Sequence, residues 1–585
     1  MRLTAEQRDA VSEPGHVCLV SCPGSGKTRV IIAKLLQCID SVKGSTRRIA
    51  CITHTNAAAD EIDYRLRENS FSDDELYYEV STIHGFALQN ILRPFHHLLP
   101  EFRNGFAILT SDMETYSVKA REMMEQYGLQ GFAFEEFERI QRAPDGGPSQ
   151  VGTLPVDLQL EWFAWLDENA YVTLNEMVYH SGRLLNTYPH ITSAMASRFE
   201  WILVDEFQDS SPAQIVILKE IHRYRRTTFF CVGDPNQSIY RFAGAAPELL
   251  VEFANHIEAN TRHHLTGNYR SSSNICTVAE MLCQSEPPMR AVGEYAGCNI
   301  LPRHLTVIDP ESGILNEFLP AVRTLGIPLG KVAILASWWV SLFRLARELR
   351  SQNIPVIGPG SRPYKRSHLI AQLVESIGAY LECQEAEMAL AVQRALYVFL
   401  INLPDREGPS VFDFRGRVAV CKLLDEARAA RMASPLAVNW IADAVERFSR
   451  VLLASELLNN KGAAILQESA AEMVEDIRGR SEWNQLMIED LGIFARPGEC
   501  IQLLTIHKAK GREFEAVAVI DAHDGRIPHF SISRIADEGE RQAQYDESRR
   551  VVYVAATRAM RLLMFFSDRS DLRNRPSPFL AEMGL

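Results

Sequence analysis

The chain has 585 residues, too many for a single hydrophobic core, so several domains are expected. Its hydrophobic content of 46% and charged content of 23% are those of an ordinary soluble globular protein, and no apolar run is long enough to span a bilayer. A net charge of −13 argues against a protein that coats nucleic acid with a uniformly basic surface, but it does not exclude a basic groove on an acidic body.

The N-terminal sequence MRLTAEQRDA lacks the apolar segment of a signal peptide, so a cytoplasmic location is expected. The eleven cysteines are scattered, and none of them forms a C-x-x-C pair. Cys18 and Cys22, the closest two, lie around the first predicted strand, where buried free thiols are the simplest interpretation. The sequence therefore supports neither a disulfide framework nor an iron–sulfur cluster.

The first predicted elements are an apolar strand at Val17 to Val20 and an amphipathic helix that begins at about Lys27. The loop between them consists of small residues: Pro23, Gly24, Ser25 and Gly26. Backbone N–H groups of such a loop can bind phosphate oxygens, Lys27 can reach the β- and γ-phosphates, and the Thr28 hydroxyl can ligate magnesium. Ser21 replaces the first glycine of the pattern G-x-x-x-x-G-K-[ST]. The alternative is a tight turn without a ligand, and the strand–loop–helix context favours phosphate binding.

Two similar units follow. RIACITHTNAAADEIDYRL predicts a strand at Ile49 to Ile52, a polar turn and a helix, and VSTIHGFALQNIL predicts another strand-to-helix turn that holds Thr82, His84 and Phe86. From about Leu88 to Ala194 the sequence is aromatic-rich and helix-like, without a repeated strand signal. This region is predicted to be a helical insertion.

An apolar run then ends in VDEFQDSS, which spans Val204 to Ser211. A buried strand that carries Asp205 and Glu206 at its C-terminal end supplies one carboxylate for a magnesium ion and one to orient water. Acid pairs are more often solvated surface, but the apolar strand and the phosphate loop favour a catalytic pair. FFCVGDPNQSIYRFAGA predicts a further strand and loop, so the first half is expected to form a parallel sheet whose functional loops share one edge.

A second α/β region begins at Leu265 with LTGNYRSSSNI, and KVAILASWWVSLFRLARELRSQNIPVIG predicts a strand, a helix and a strand. Leu381 to Gly498 are predicted to form amphipathic helices. Strand character resumes in CIQLLTIHKAKGREFEAVAVIDA, and RRVVYVAATRAMRLLM is predicted to form a closing helix. The chain is thus expected to contain two α/β cores, each interrupted by a helical insertion.

Nine segments resemble, in the same order, the motifs of superfamily 1 DNA helicases of the UvrD/Rep/PcrA type. They are LTAEQRDAV (3–11), SCPGSGKTR (21–29), ITHTNAAADEI (52–62), STIHGF (81–86), VDEFQDSS (204–211), VGDPNQSIYRFAGA (232–245), NYRSSSNI (268–275), LLTIHKAKGREFE (503–515) and YVAATRAM (553–560). One such string could be coincidence, whereas the ordered set, which covers most of the chain, indicates the family.

The resemblance implies an α/β fold with two RecA-like P-loop NTPase cores, whose parallel sheets are each interrupted by a mainly helical insertion. The expected domains are a first, ATP-binding core at 1–87 and 195–264, an insertion at 88–194, a second core at 265–380 and 499–585, and an insertion at 381–498.

The resemblance also implies roles in an ATP and Mg²⁺ site. Gln7 would bind the adenine edge through its amide, and Tyr269 and Arg29 would sandwich the ring. Asp205 and Thr28 would hold magnesium. The other expected nucleotide contacts are Pro23, Gly24, Ser25, Gly26, Lys27 and Glu513.

The residues implied in catalysis act on the γ-phosphate. Glu206 would orient the attacking water beside Lys27, and Gln237 would sense the γ-phosphate. Arg270 and Arg558, both expected on the second core, would be arginine fingers, which accelerate such reactions by roughly 10³ to 10⁵. ATP hydrolysis in the cleft between the cores would then move the two cores relative to each other.

A single-stranded DNA track is implied along both cores. Its residues are His54, Asn56, Thr82, His84, Tyr240 and Phe242 on the first core, and Thr505 and His507 on the second. Aromatic rings suit this role because every base has a π-face. Core packing is the alternative for Tyr240 and Phe242, and many relatives carry an aromatic ring in place of His54.

The chain departs from the family at three places. Relatives commonly have W-R-G-A where Ala243 replaces the arginine here, although Arg241 lies two residues earlier, so coupling between ATP and DNA is expected to differ. Ser548 replaces a common acid. The second insertion is short, and no further domain is expected after the last motif, so a regulatory or partner-binding surface is expected to be reduced.

The leading hypothesis is an ATP-dependent helicase that moves 3′→5′ on single-stranded DNA and unwinds tailed duplex DNA. The alternative is a DNA- or nucleotide-sensing ATPase subunit of a nuclease complex, as in Gabija-type antiphage defence, which would need a nuclease or another protein partner. RNA as a substrate stays open, whereas a fused nuclease is disfavoured because the chain ends soon after YVAATRAM.

Overall fold

The computed structural model describes residues 2–69, 72–129, 133–149, 154–241, 244–245, 247–404, 408–479, 483, 485–569 and 574–585. These residues form two compact units. The first unit contains Met1–Asn299, Ser531–Thr557 and Glu582–Gly584, and the second contains Ile300–Phe530, Arg558–Ala581 and Leu585.

The first unit is built on a six-stranded parallel sheet with the order β3-β2-β6-β7-β1-β8. The strands of the first unit, in this sheet and in two smaller ones, are β1 (Val17–Ser21), β2 (Arg48–Thr53), β3 (Tyr78–Thr82), β4 (Ala107–Ile108), β5 (Tyr171–Val172), β6 (Phe199–Val204), β7 (Thr228–Gly233), β8 (His264–Leu265), β9 (Gly267–Asn268) and β10 (Arg290–Ala291). β4 pairs with β5, and β9 pairs with β10, in two small parallel sheets.

The helices of this unit follow the strands or lie in the first insertion. They are Ala5–Ser12, Lys27–Val42, Asn56–Asn69, Ile83–Ala87, Arg93–Phe95, Glu114–Gln126, Ala133–Phe137, Val156–Glu168, Leu174–Thr187, Pro189–Arg198, Pro212–His222, Glu248–His256, Ser273–Leu282 and Glu538–Ala556. The central strands are almost entirely apolar because both faces of the sheet are covered: Ile202 packs in one hydrophobic cluster and Leu203 in another. The first insertion has a separate core around Trp162.

The second unit contains another six-stranded parallel sheet, with the order β11-β16-β15-β12-β14-β13. Its strands are β11 (Arg303–Val307), β12 (Val332–Ala336), β13 (Val356–Ile357), β14 (Ile501–Thr505), β15 (Phe514–Val519) and β16 (Ala559–Asp568). Its helices are Pro310–Gly313, Leu319–Thr324, Trp339–Ser351, Ala371–Cys383, Ala386–Ile401, Phe414–Ala433, Ala437–Ala454, Asn460–Arg478, Ile488–Gly492 and Ile506–Ala509, and the chain ends with Pro578–Glu582. The helices from Ala371 to Gly492 pack around Trp440 and Phe448.

The predicted α/β class is confirmed, and so is the helix that begins at Lys27. The prediction of one closing helix for RRVVYVAATRAMRLLM was wrong. The helix ends at Ala556, and β16 follows between β11 and β15, where Leu562 and Leu563 are buried. A short apolar run fits a buried strand as well as a buried helix, so periodicity did not separate the two.

The predicted domain limits stay a prediction, because the two units follow a coarser division. Residues 265–299 group with the first sheet, since β8 pairs with β1 and the Tyr269 N–H donates to the Gly24 carbonyl oxygen over 2.9 Å. Arg270 consequently lies in the first unit, whereas the sequence analysis expected it on the second core.

None of the helices in the described ranges combines the length and the apolar character that crossing a membrane requires.

Candidate nucleotide site and nucleic-acid track

The loop after β1 forms a tight cradle. Gly24 and Gly26 have φ values of 66° and 83°, in the left-handed region that glycine adopts without strain. A Cβ on Gly24 would lie 2.7 Å from the Cβ of Arg270, so the backbone also approaches a neighbouring segment closely. Gly26 has no side chain to cap the helix Lys27–Val42, and the N–H groups of the first helical turn are suited to an anion. Ser21, the departure from the phosphate-loop pattern, donates from Oγ to the Gly233 carbonyl oxygen over 3.0 Å.

The acid pair lies opposite this loop, at the end of β6. Asp205 is buried, and its Oδ1 accepts a hydrogen bond from the Glu206 N–H at 3.0 Å. Glu206 has a left-handed backbone with φ of 50°. Its Oε1 lies 3.8 Å from the Nζ of Lys27. The structure therefore brings together the lysine and the acids that the sequence analysis assigned to one site.

Burial makes this site unfavourable for uncompensated negative charge. The pKa of Asp205 is raised to about 7 by burial and by the charge of Glu206, against the opposing effect of Lys27. Burial also raises the pKa of Asp234 after β7, while Lys27 and a hydrogen bond from Gln237 oppose that rise. Carboxylate and hydroxyl oxygens are ligands that Mg²⁺ prefers. Asp205 and the partly exposed Thr28 therefore have the ligand types that magnesium prefers, and the charge of a bound ion would offset the repulsion between Asp205 and Glu206.

Gln208 is a site residue that the sequence analysis missed. Its Nε2 donates to Glu206 Oε2 over 2.5 Å, and its Oε1 accepts from the Asp234 N–H at 2.9 Å. Gln208 is fully buried, and a Cβ on Gly233 would lie 2.9 Å from its Oε1. Gln208 therefore fixes Glu206 relative to the loop after β7. The only signal in the sequence was its place inside VDEFQDSS.

Gln237, the expected γ-phosphate sensor, lies in that loop. It belongs to a short helical turn, Pro235–Gln237, and donates from Nε2 to Asp234 Oδ2 over 2.6 Å. The side chain is buried. Its sensing role stays a prediction.

Gln7 connects the N-terminal helix to the phosphate loop. Its Oε1 accepts from the Thr4 N–H at 3.1 Å, which forms a capping box, and its Nε2 donates to the Ser25 carbonyl oxygen at 2.9 Å. Both ends of the amide thus bind protein groups, and Gln7 is only 1% exposed. Its contact with adenine stays a prediction.

The two residues expected on either face of the adenine are accessible. Tyr269 is 43% exposed, and Arg29 is also exposed. Tyr269 is anchored to the phosphate loop through its N–H bond to Gly24. Each side chain is therefore accessible to a ligand, and their contacts with adenine stay a prediction.

The expected arginine fingers have different surroundings. Arg270 donates from Nη1 to the Thr557 carbonyl oxygen at 3.1 Å, and its N–H donates to Asn268 Oδ1 at 2.8 Å. Arg558 belongs to the second unit, is 1% exposed, and donates from Nη1 to the Arg512 carbonyl oxygen at 3.2 Å. Glu513, another expected nucleotide contact, is exposed in the same unit.

The expected track residues of the first unit lie at the carboxyl ends of β2, β3 and β7. The rings of His54 and Tyr240 stack with centroids 5.5 Å apart and an interplanar angle of 29°. Thr82 caps the helix Ile83–Ala87 by accepting from the Gly85 N–H at 3.2 Å. Burial and electrostatic repulsion from His54 lower the pKa of His84 to about 4. Asn56 is exposed at the start of its helix, and Phe242 lies outside the described residues.

The second unit repeats this local structure. Thr505 ends β14 and caps the helix Ile506–Ala509 by accepting from the Lys508 N–H at 3.4 Å. His507 is partly exposed. The tripeptide Thr-Ile-His thus begins at the last residue of a parallel strand in each unit, at Thr82 and at Thr505.

Another cluster of ionisable groups lies in the first insertion. Ligand atoms of Glu101, Asp167 and His180 lie within 4.8 Å of one another. Arg142 binds Asp167 at 2.9 Å and Arg183 binds Glu101, so guanidinium groups already compensate these carboxylates. The cluster is therefore an ion-pair network within the insertion.

The fold and the site together define a P-loop nucleotide-binding protein: a phosphate loop follows one parallel strand, and an acid pair ends another. Residues 3–142 and 157–258 match the model of the UvrD/REP helicase N-terminal domain, and residues 463–570 match that of the UvrD-like helicase C-terminal domain.

Curated relatives match over almost the full length. The chain is 25% identical to DNA helicase II of Escherichia coli K12 and to DNA helicase II of Salmonella typhimurium LT2, over 99% of this chain and 87% of each relative. It is 22% identical to ATP-dependent DNA helicase PcrA of Staphylococcus epidermidis RP62A, over 99% of this chain and 86% of the relative. The chain belongs to the UvrD/REP helicase family, and it is an enzyme of the ATP-hydrolysing DNA helicase class.

Proposed function

We propose that this helicase uses ATP and Mg²⁺ to move 3′→5′ along single-stranded DNA and to unwind tailed duplex DNA. One loop carries the proposal. Within the residues after β7, Gln237 is bound to Asp234 in the nucleotide site, and Tyr240, three residues later, stacks on His54 in the expected track. A change at the γ-phosphate position can therefore alter the track through a few backbone bonds.

The nucleotide contacts of the proposal rest on the geometry of the first unit. The phosphate loop would hold the phosphates. Lys27 Nζ, which lies 3.8 Å from Glu206 Oε1, would bind the β- and γ-phosphates instead when ATP is present. Asp205 and Thr28 would hold magnesium, which supplies positive charge to the phosphate oxygens when bound. Glu206, held by Gln208, would orient the attacking water.

The DNA contacts and the direction of movement are inferred from the family resemblance. The stacked rings of His54 and Tyr240 suit contacts with DNA bases that do not depend on sequence. Thr82 in one unit and Thr505 in the other, each with a neighbouring histidine, suit contacts with the sugar–phosphate backbone of the DNA. By the family resemblance, Arg270 and Arg558 are proposed to stabilise charge on the transferred phosphate.

Strand displacement tests the proposal. Duplexes with a 3′ tail, a 5′ tail or blunt ends are incubated with the purified chain, with and without ATP and Mg²⁺. ATP-dependent displacement of the 3′-tailed duplex is expected to exceed that of the 5′-tailed one. ATP turnover stimulated by single-stranded DNA without any displacement would overturn the unwinding proposal and support the sensor alternative. Displacement measured on duplexes with RNA tails instead of DNA tails shows on which nucleic acid the chain moves.

A further inference from the structure

The second unit exposes a group of aromatic side chains at the carboxyl end of β12. Trp338 is 36% exposed, Trp339 45% and Phe530 53%. Rings of this size are usually buried, because each removes a large apolar area from water. None of the nine family-like segments contains these residues. We call Trp338, His529 and Phe530 the aromatic cluster.

The rings of the aromatic cluster are ordered against one another. Trp338 and His529 are nearly parallel, with an interplanar angle of 16° and centroids 5.7 Å apart. The His529 and Phe530 centroids are 4.3 Å apart. The guanidinium of Arg526 lies 5.8 Å from the centre of the Trp338 ring, and Arg526 is exposed. A planar face with a neighbouring cation suits a ligand that has a flat aromatic ring next to a negatively charged group.

The sheet register places the aromatic cluster beside the expected track. β12 pairs with β14, and Ala336 lies opposite Thr505. Trp338 follows Ala336 by two residues, and His507 follows Thr505 by two residues. The two segments therefore leave the same edge of the sheet at adjacent positions.

We propose that Trp338, supported by His529, is a base-stacking platform for single-stranded nucleic acid that continues the track from Thr505 and His507. The proposal rests on the proposed function. Stacking on Trp338 would be indifferent to sequence, and Arg526 would bind the phosphate next to the stacked base. The cation beside the rings and the adjacent track favour nucleic acid over a protein partner as the occupant.

The test combines protein and ligand variants. Trp338→Ala, Trp338→Phe and the wild-type chain are titrated with fluorescent oligo(dT) and with a strand of equal length whose residues are abasic. Trp338→Ala is expected to weaken oligo(dT) binding about tenfold, since one stacked base contributes roughly 1–3 kcal/mol. Trp338→Phe is expected to retain most of the affinity. On the abasic strand, Trp338→Ala and the wild type are expected to bind equally.

Phe414→Ala is the matched control, because Phe414 is an exposed aromatic residue of the same unit, 75% accessible, at the start of a helix in the insertion. It is expected to bind both strands like the wild type. Equal oligo(dT) affinity for Trp338→Ala and the wild type would overturn the platform and leave the aromatic cluster to a protein partner. Equal loss on both strands would overturn it in favour of a structural role, and the thermal unfolding midpoint would then fall as well. A wild-type chain that binds neither strand would instead overturn the proposed function.

Discussion

The guanidinium of Arg241 donates from Nη2 to Glu540 Oε2 over 2.7 Å. The Arg241 N–H also donates to Glu547 Oε1 at 2.9 Å, and Arg550 donates from Nε to the Ser238 carbonyl oxygen at 2.8 Å. Three hydrogen bonds thus connect the loop with Gln237 and Tyr240 to the helix Glu538–Ala556. This chain has no arginine at 243, and Arg241 supplies a guanidinium two residues earlier.

Arg241→Ala is expected to lower DNA-stimulated ATP turnover several-fold, because the loop that carries Tyr240 loses its link to the helix. Stability should change little, since both partners are partly exposed and such ion pairs contribute about 0–1 kcal/mol. Glu540→Gln should reproduce the effect, and the double variant should be no worse than either single one. Arg67→Ala, which breaks an exposed ion pair on another helix, is the control. Additive losses in the double variant would contradict a shared role.

Lys27→Ala is expected to reduce ATP turnover by about two orders of magnitude or more, because it removes from the phosphate loop the cation that lies 3.8 Å from Glu206. Phosphate release is the measurement, and the thermal unfolding midpoint checks the fold. Lys43→Ala, at the other end of the same helix, should leave turnover unchanged. Near-normal turnover in Lys27→Ala would show that this loop is not the phosphate site.

Glu206→Gln is expected to bind ATP but to lose hydrolysis, since the amide keeps the shape of the side chain and removes the charge that orients water. Binding is measured with a fluorescent ATP analogue, and turnover by phosphate release. Glu200→Gln, on the same strand but far from its carboxyl end, is the matched control. Loss of ATP binding in Glu206→Gln would make the residue a scaffold of the ligand site.

The raised pKa of Asp205 predicts a pH-dependent stability in the ligand-free chain. Because the pKa is about 7 when folded and 3.8 when unperturbed, the folded state retains a proton between these values that the unfolded state releases. This group therefore lowers the free energy of unfolding as the pH rises from about 4 to 7. Urea denaturation of the wild type and Asp205→Asn at pH 5 and pH 8 measures it. The variant should gain stability relative to the wild type at pH 8, and an equal difference at both pH values would refute the raised pKa.

Arg142→Ala is expected to destabilise the first insertion by about 3 kcal/mol or more, because it leaves a buried carboxylate without its cation. Arg142 donates from Nε to Glu176 Oε2 at 2.8 Å, and Glu176 is 1% exposed. Urea denaturation followed by tryptophan fluorescence reports the change, since Trp162 lies in the core of the insertion. Arg121→Ala, an exposed position on a helix of the same insertion, should change stability by less than about 0.5 kcal/mol. A similar loss in both variants would rule out the buried network as the cause.

The sequence predicts the site well where the functional residues come directly after the end of a strand. Parallel strands bring their carboxyl ends to one edge, so the loops with Lys27, Asp205 and Tyr240 could be placed together before any distance was known. The same reasoning does not extend to contacts between side chains on separate loops. Gln208 meets the Asp234 N–H across 26 residues, and Arg241 meets Glu540 across 299. Neither spacing leaves a periodic signal in the sequence.

Glu206 carries a consequence for engineering. Its left-handed backbone costs an ordinary residue about 1–2 kcal/mol relative to the right-handed form, whereas glycine adopts it freely. A search for stabilising substitutions guided by local conformation alone would therefore select glycine at this position and discard the carboxylate. The strain is retained at the residue proposed to orient water, so at this position the carboxylate is kept at the expense of local stability.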